Sequence, residues 1–252
     1  MALLLCCVSV LSSCGAPRLK YDADENGYVR AKDGEVFVRA GSAYAAVGID
    51  TEKEIARIEQ DGEDLLLYQI CSKNGEMDVE TWMASKDYSV YCKKGTVLPK
   101  LWEMQVSEAH VIQSTSASFI IAYITDGNEL GKLVDVCQNG KSFPLKTIEE
   151  AYIVSDVTKY NLACTSTLYE GLYYMLFYYR FEKDVKVTEY LDSRVSASDF
   201  TPTYDAPYTL RQGEDGNTIA EYNFGKNIVQ DRLTGACYIV RGVFESHFDK
   251  ES

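Results

Sequence analysis

Apolar and polar residues alternate along much of this 252-residue chain, and this period of two is typical of half-buried β-strands. The segments YVRAKDGEVFVRA and KEIARIEQDGEDLLLYQI each place two alternating runs around an Asp-Gly pair, at Asp33-Gly34 and Asp61-Gly62. Such a pair between alternating runs indicates a β-hairpin. The segment NIVQDRLTGACYIV predicts a third hairpin, with its turn at Leu233-Thr234-Gly235.

Helical spacing of apolar residues is clear in one segment. It runs from Asn128 to Cys137 and ends at Asn139-Gly140, so the pattern predicts a helix there, and a second short helix is predicted near 146–151. The 19 tyrosines and 9 phenylalanines favour pleated sheets. We therefore predict a mainly β fold, an antiparallel sheet that could form a sandwich, with one or two short helices. An α+β fold is the alternative.

The composition is that of a globular protein, with 46% hydrophobic and 25% charged residues. The formal net charge of -13 argues against nucleic acid as a partner, because its phosphates would be repelled. We predict a single globular domain over residues 28–252, with a division into two lobes near 140–146 as an alternative.

The first fourteen residues are more apolar than a domain surface. Residues 2–11 form an apolar stretch, and about ten residues are too few to cross a bilayer core that requires ~20 helical residues. A short apolar segment at the N-terminus, followed by small residues, is typical of an export signal. The sequence Leu11-Ser12-Ser13-Cys14 resembles the lipobox of bacterial lipoproteins.

The resemblance to lipoproteins implies how the protein is processed and where it resides. It implies a signal peptide over residues 1–13, cleavage after Ser13, and a diacylglycerol with palmitate-like chains on Cys14. Residues 14–27 would then carry the lipid and form a polar tether. The implied location is the cell membrane of a bacterial envelope, on the extracytoplasmic face, where two acyl chains hold a protein firmly.

Five cysteines follow this leader: Cys71, Cys92, Cys137, Cys164 and Cys237. They show neither a CxxC motif nor another metal-ligand spacing. Most of them lie in apolar, strand-like runs, so buried free thiols are the simplest interpretation. One disulfide, for example between Cys71 and Cys92 on neighbouring strands, is the alternative outside the cytoplasm.

The segment DADENGYVRAKD resembles the calcium loop of EF-hand and dockerin modules. The resemblance implies the ligands Asp22, Asp24, Asn26, Tyr28 (through its carbonyl) and Asp33. Oxygen ligands at alternate positions can converge on one hard cation. The hairpin predicted over the same residues competes with this interpretation, because it takes Asp33 into its turn. We favour the hairpin, and then no cofactor is expected.

The segment GLYYMLFYYRF is rich in aromatic residues. Because exposed aromatic rings can stack on sugars or peptides, Tyr174 and Tyr178 form a candidate ligand surface together with Trp82 and Trp102. The alternative, which we favour, is a central strand that is buried on both faces.

Catalytic signatures are absent from the sequence: it contains no GxSxG elbow and no HExxH helix. We therefore predict a non-catalytic, lipid-anchored envelope protein that binds a protein or glycan ligand. One alternative is a glycan-active envelope enzyme that uses a carboxylate pair, which is defined by spatial separation and not by sequence spacing. The other is a calcium-dependent adhesion module.

Overall fold

The computed structural model describes residues 15–60, 62–71, 81–114, 116–146, 156–192 and 194–248. Within these residues the protein is mainly β, as the sequence predicts. The strands form two sheets, a closed seven-stranded barrel and a nine-stranded sheet. The three predicted hairpins are confirmed, because the strands that flank each predicted turn pair in antiparallel fashion.

The barrel occupies the first part of the chain. Its strands are β1 (Arg18–Asp22), β2 (Gly27–Arg30), β3 (Val36–Arg39), β5 (Gly48–Gln60), β6 (Glu63–Cys71), β7 (Trp82–Ser85) and β8 (Val90–Lys93). A short strand between them, β4 (Tyr44–Ala46), pairs instead with the second sheet. The order around the barrel is β1-β2-β3-β8-β7-β6-β5, and a parallel pairing of β1 with β5 closes it.

Strand β1 corrects the predicted polar tether. Residues 18–27 form β1 and the turn into β2, and Leu19 is fully buried in the barrel. Leu19 lies opposite Ile58 of β5 on one side and Arg30 of β2 on the other. A strand with one buried side chain carries almost no hydrophobic pattern, so its main-chain pairing with two neighbours defines it.

The second sheet has the order β10-β9-β12-β13-β15-β16-β11, with β14 paired to β15 and β4 paired to β13. Its strands are β9 (Val106–Ser114), β10 (Ser118–Ile124), β11 (Phe143–Pro144), β12 (Val157–Ser166), β13 (Leu172–Tyr190), β14 (Tyr208–Gln212), β15 (Thr218–Asp231) and β16 (Ala236–Ile239). The central strand, β13, carries the aromatic segment and continues through VKVTEY without a break.

The two sheets divide between β8 and β9, and not near 140–146 as the two-lobe alternative predicts. Residues 143–144 form β11, which pairs with β16 inside the second sheet. One apolar cluster contains both Trp82 of the barrel and Leu176 of the second sheet. The two sheets therefore share a core.

The helix α1 (Gly127–Asn139) confirms the helix predicted from Asn128 to Cys137. Asp126 is the N-cap residue of this helix. Its side chain accepts hydrogen bonds from the backbone N–H groups of Asn128, at 2.7 Å, and Glu129, at 3.2 Å.

Two shorter helical segments accompany α1, a 3₁₀ turn at Leu101–Glu103 and the helix α2 (Glu245–Phe248). The second helix predicted near 146–151 lies almost entirely outside the described residues. Within the described part of the chain, every helix is too short or too polar to span a bilayer.

Candidate functional site

A cavity of about 610 Å³ lies where β13 and β15 separate. Arg180 pairs with Asn227 in the regular ladder, and the next pair joins Val185 to Gly225, so both strands bulge between these pairs. Bulges interrupt strand pairing and redirect side chains. The cavity is lined by Arg180, Asp184, Pro207, Asn223, Gly225, Lys226, Asn227, Val240, Arg241 and Glu245.

The local backbone at this bulge depends on Gly225. Its φ of 73° lies in the left-handed region, which glycine adopts without steric cost. The N–H of Gly225 donates to Oδ1 of Asn223 at 2.7 Å, and Nη2 of Arg241 donates to the carbonyl oxygen of Asn223 at 3.1 Å. Asn223 therefore joins the bulge to the segment that follows β16.

The C-terminal side of the cavity is held by α1. Oε1 of Glu129 accepts the backbone N–H of Phe244 at 3.3 Å, and Oε2 lies 2.9 Å from Nε2 of His247. Phe244 is fully buried and has a φ of 65°, a strained conformation for a bulky residue. The contacts of Glu129 thus fix the chain on both sides of Glu245, which lines the cavity.

Cations outnumber carboxylates around the cavity, with Arg180, Lys226 and Arg241 against Asp184 and Glu245. Asp184 accepts a hydrogen bond from Nδ2 of Asn223 at 2.9 Å, and Glu245 accepts one from Nδ2 of Asn227 at 3.1 Å. Among the carboxylates that the structure describes, none forms an ion pair with Lys226 or Arg241. Lys226 and Arg241 are therefore available to pair with an anion, even though the chain as a whole is acidic.

The amide of Asn227 is the least satisfied group in the cavity wall. The residue is 7% exposed, and its Nδ2 donates to Glu245, which fixes the orientation of the amide. Its Oδ1 is buried without a hydrogen-bond partner. A buried acceptor of this kind costs about 1–3 kcal/mol. A ligand that donates a hydroxyl or amine to Oδ1 would offset that cost.

A second polar group lies in a smaller cavity of about 250 Å³ that His110 and Tyr173 line together. Nε2 of His110 is 3.3 Å from Oε1 of Glu108, and Nδ1 is 3.4 Å from the hydroxyl of Tyr173. Burial raises the pKa of Tyr173, and the Glu108 carboxylate raises it further. The phenol is therefore protonated, and the imidazole is held between two partners.

Three of the four aromatic residues of the candidate ligand surface are in the core. Trp82, Tyr174 and Tyr178 are 6%, 0% and 1% exposed, so they offer no ring face to a ligand. For Tyr174 and Tyr178, this burial agrees with the interpretation that we favour, a buried central strand. The Tyr174 hydroxyl donates to Oδ1 of Asp231 at 2.7 Å. Trp102 is partly buried and carries the ammonium of Lys100 5.2 Å from its ring centre.

The structure spreads the residues of the calcium-loop hypothesis over two turns. Asp22, Asp24 and Asn26 lie at the β1–β2 turn, Tyr28 lies within β2, and Asp33 lies in the turn after β2. The four residues of β2 separate the turns by about 13 Å. In the described ranges, no three His, Cys, Asp or Glu side chains come together in a way that could hold a metal.

The cysteines of the described chain are all free thiols. Cys71 lies in β6 and Cys92 in β8, and β7 stands between these strands, so the disulfide suggested for neighbouring strands is wrong. Burial raises the pKa of Cys137 to about 12 and also raises the pKa of Cys164. Both thiols are therefore protonated and unreactive.

Ser13 and Cys14 lie outside the described residues, so cleavage and acylation stay predictions. Comparisons with family models, with curated proteins and with solved structures find no match for this chain. The residues of the cavity were not predicted from the sequence. They lie on separate segments of the chain, and the bulge between β13 and β15 opens the cavity that they line.

Proposed function

We propose that this protein is a lipid-anchored envelope protein on the extracytoplasmic face of the cell membrane, which binds a small hydroxylated anion without catalysing its reaction. The observation that carries the ligand proposal is the buried Oδ1 of Asn227. This acceptor has no partner within the described part of the chain, and it belongs to a residue that lines the cavity together with Lys226 and Arg241.

An acidic sugar has the chemistry that this cavity requires. Its carboxylate would pair with Lys226 and Arg241, because charge-assisted hydrogen bonds are among the strongest that proteins form. One of its hydroxyls would donate to Oδ1 of Asn227. The volume of about 610 Å³ is within the ~300–1,000 Å³ that is typical of ligand cavities.

The proposed anchor rests on the lipobox resemblance of Leu11-Ser12-Ser13-Cys14, and the position of β1 sharpens it. Residues 15–17 separate Cys14 from Arg18, the first residue of β1. Four extended steps of the chain span at most about 14 Å. An acylated Cys14 would therefore keep the barrel next to the bilayer surface.

The ligand proposal is tested by isothermal titration of the full chain with glucuronate. We expect saturable binding that Arg241→Gln and Lys226→Gln each weaken about tenfold, the equivalent of about 1.4 kcal/mol, and that Asn227→Leu abolishes. Arg211→Gln, an exposed change on β14, is the matched control and leaves binding unchanged. Binding that is absent in the parent, or equal in the parent and both cation variants, would refute the proposal.

The anchor is tested separately with Cys14→Ala. Expressed in a bacterial host and labelled with radioactive palmitate, the parent is expected to carry label and to fractionate with membranes. Cys14→Ala should lose the label, whereas Cys71→Ala, which alters a partly exposed thiol, should keep it. Equal labelling of the parent and Cys14→Ala would remove the anchor.

A second candidate is a glycan-active enzyme, because Asp184 and Glu245 both line the cavity and glycosidases use a carboxylate pair. This candidate predicts hydrolysis of a fluorogenic glucuronide that Asp184→Asn and Glu245→Gln each abolish. Binding of glucuronate without hydrolysis of the glucuronide favours the non-catalytic function.

A further inference from the structure

Two cations share one aromatic ring on the opposite face of the second sheet. Nζ of Lys159 lies 3.5 Å from the centre of the Phe177 ring, and Cζ of Arg232 lies 4.5 Å from the same centre. Each contact is a cation–π interaction, which stabilises a positive charge over an aromatic face. Two such charges on one ring also repel each other.

The strand register explains how this cluster forms. Phe177 of β13 lies opposite Asn161 of β12, and Lys159 lies two residues earlier on β12, on the same face. Arg232 is the first residue after β15, in the turn where the N–H of Gly235 donates to the carbonyl oxygen of Asp231 at 2.7 Å. This turn places the guanidinium over Phe177.

The cluster lacks a counterion among the described carboxylates, because none of them forms an ion pair with Lys159 or Arg232. The guanidinium of Arg232 donates a long hydrogen bond from Nη1 to Oδ1 of Asn161, at 3.5 Å. Burial lowers the pKa of Arg232, and it lowers the pKa of Lys159, which the charge of Arg232 lowers further. Both groups are thus held in a setting that disfavours their charge.

The barrel provides a matched cluster in which the charge is neutralised. Cζ of Arg30 lies 4.9 Å from the centre of the Phe37 ring, and its Nη1 lies 3.4 Å from carboxylate oxygens of both Asp33 and Glu35. In both clusters the Nε of the arginine is buried without a hydrogen-bond partner. The counterion and the second cation therefore distinguish the two clusters.

We propose that Lys159 and Arg232, arranged around Phe177, form a binding site for an oxyanion, in the form of a phosphate or sulfate group. The guanidinium can donate two parallel hydrogen bonds to such a group, and the ammonium adds a point charge. A bound oxyanion takes the place that Asp33 and Glu35 hold beside Arg30. The source of the oxyanion is either a soluble anion or an anionic lipid headgroup.

This site is separate from the cavity at Asn227. Phe177 and Tyr179 point to one face of β13, where they belong to one apolar cluster, and Tyr178 packs in the cluster on the other face. Arg180, which lines the cavity, lies on the same face of β13 as Tyr178, because side chains two residues apart along a strand point to the same side. The sheet therefore stands between the two sites, and either proposal can fail without the other.

The test is isothermal titration with inorganic phosphate, carried out on the full chain with Arg241→Gln so that the cavity contributes little. We expect saturable binding at one site, weakened about tenfold by Lys159→Gln and abolished by Arg232→Gln. Arg30→Gln, which removes the neutralised cation from the matched cluster, should leave binding unchanged. Lys159 is exposed, so Lys159→Gln keeps the test decisive if Arg232→Gln fails to fold.

The absence of saturable phosphate binding would overturn the site, as would binding that Lys159→Gln does not weaken. Flotation with vesicles of phosphatidylglycerol and phosphatidylcholine then identifies the source. Co-flotation that depends on Lys159 supports a lipid headgroup. Binding of phosphate without Lys159-dependent co-flotation supports a soluble anion.

Discussion

The barrel and the nine-stranded sheet differ in how they neutralise their cations. In the barrel, the following cations form ion pairs with nearby carboxylates: Arg18, Lys20, Arg30, Lys53, Arg57, Lys93 and Lys94. In the sheet, Lys186 pairs with Glu221, but Lys159, Lys226, Arg232 and Arg241 form no ion pair with any carboxylate of the described chain. These four cations cluster in two places, the cavity wall and the ring of Phe177.

This difference shows that the net charge of a chain does not predict the sign of the charge at a particular site. With 38 acidic and 25 basic residues, the protein has more carboxylates than it needs to neutralise every cation. A partly buried cation without a counterion, such as the Arg232 guanidinium, is in a setting that disfavours its charge. An overall charge of -13 is therefore compatible with local sites for small anions.

The largest predicted effect tests whether the barrel and the sheet are one cooperative unit. Leu176→Ala in the shared core should lower the free energy of unfolding by about 2–5 kcal/mol, because Leu176 is fully buried. Leu67→Ala, at a fully buried site of the barrel core, is the matched variant. Urea denaturation followed by tyrosine fluorescence should show a single shifted transition in both variants, and two transitions would contradict the shared core.

A smaller effect is expected from the buried carboxylate of the sheet. The Tyr174→Phe variant removes the hydroxyl that donates to Asp231 and should cost about 1–2 kcal/mol. Asp231 keeps its bonds from the N–H of Leu233 at 2.8 Å and from the Thr234 hydroxyl at 3.1 Å, which limits the loss. Tyr190→Phe, at an exposed position, serves as the control in thermal denaturation, and an equal loss there would refute the role of the Tyr174 hydroxyl.

A pH-dependent effect is expected in the barrel. Hydrogen bonds from Ser85 and Ser89 hold the pKa of Asp87 below its ordinary value. The unfolded chain therefore binds a proton more readily, so Asp87 stabilises the fold above its ordinary pKa and loses this effect as pH falls. Asp87→Asn should cost about 1 kcal/mol at neutral pH. In urea denaturation, the difference from the parent should shrink toward acid pH, and a constant difference would contradict the assignment.

The smallest effect separates the two arginine–phenylalanine clusters. Arg30→Gln breaks surface ion pairs with Asp33 and Glu35 and should cost about 0.5 kcal/mol. Lys159→Gln loses a cation–π contact but also relieves repulsion with Arg232, so the free energy of unfolding should stay unchanged or rise slightly. Urea denaturation of both variants at low salt provides the measurement. A loss in Lys159→Gln as large as that in Arg30→Gln would indicate that the two clusters are alike.

The hairpins and α1 were predictable because their signals are local. Asp33-Gly34 and the alternation beside it lie within a few residues of each other, and so do the spaced leucines of α1. The parallel closure of the barrel by β1 depends on the pairing of Leu19 with Ile58, which lies far along the chain. The segment RLKYD has too little hydrophobic alternation to predict this strand.

The candidate site was not predictable for a related reason. Arg180 lies in β13, Asn227 lies in β15 and Arg241 lies in the segment that follows β16, and no local motif links the three. The bulge that opens the cavity is a property of the pairing between β13 and β15, and neither strand encodes it alone. The unpaired acceptor Oδ1 of Asn227 can be recognised only in the folded structure, where the groups around it are known.

The alternation of side chains along β13 also limits how this protein can vary. Phe177 and Arg180 contribute to the two sites from opposite faces of the same strand, and they are three positions apart in the sequence. Adding or deleting one residue between them would turn one of them to the wrong side. Substitutions in this segment can therefore leave both sites on their faces of the sheet, whereas an insertion or deletion of one residue cannot.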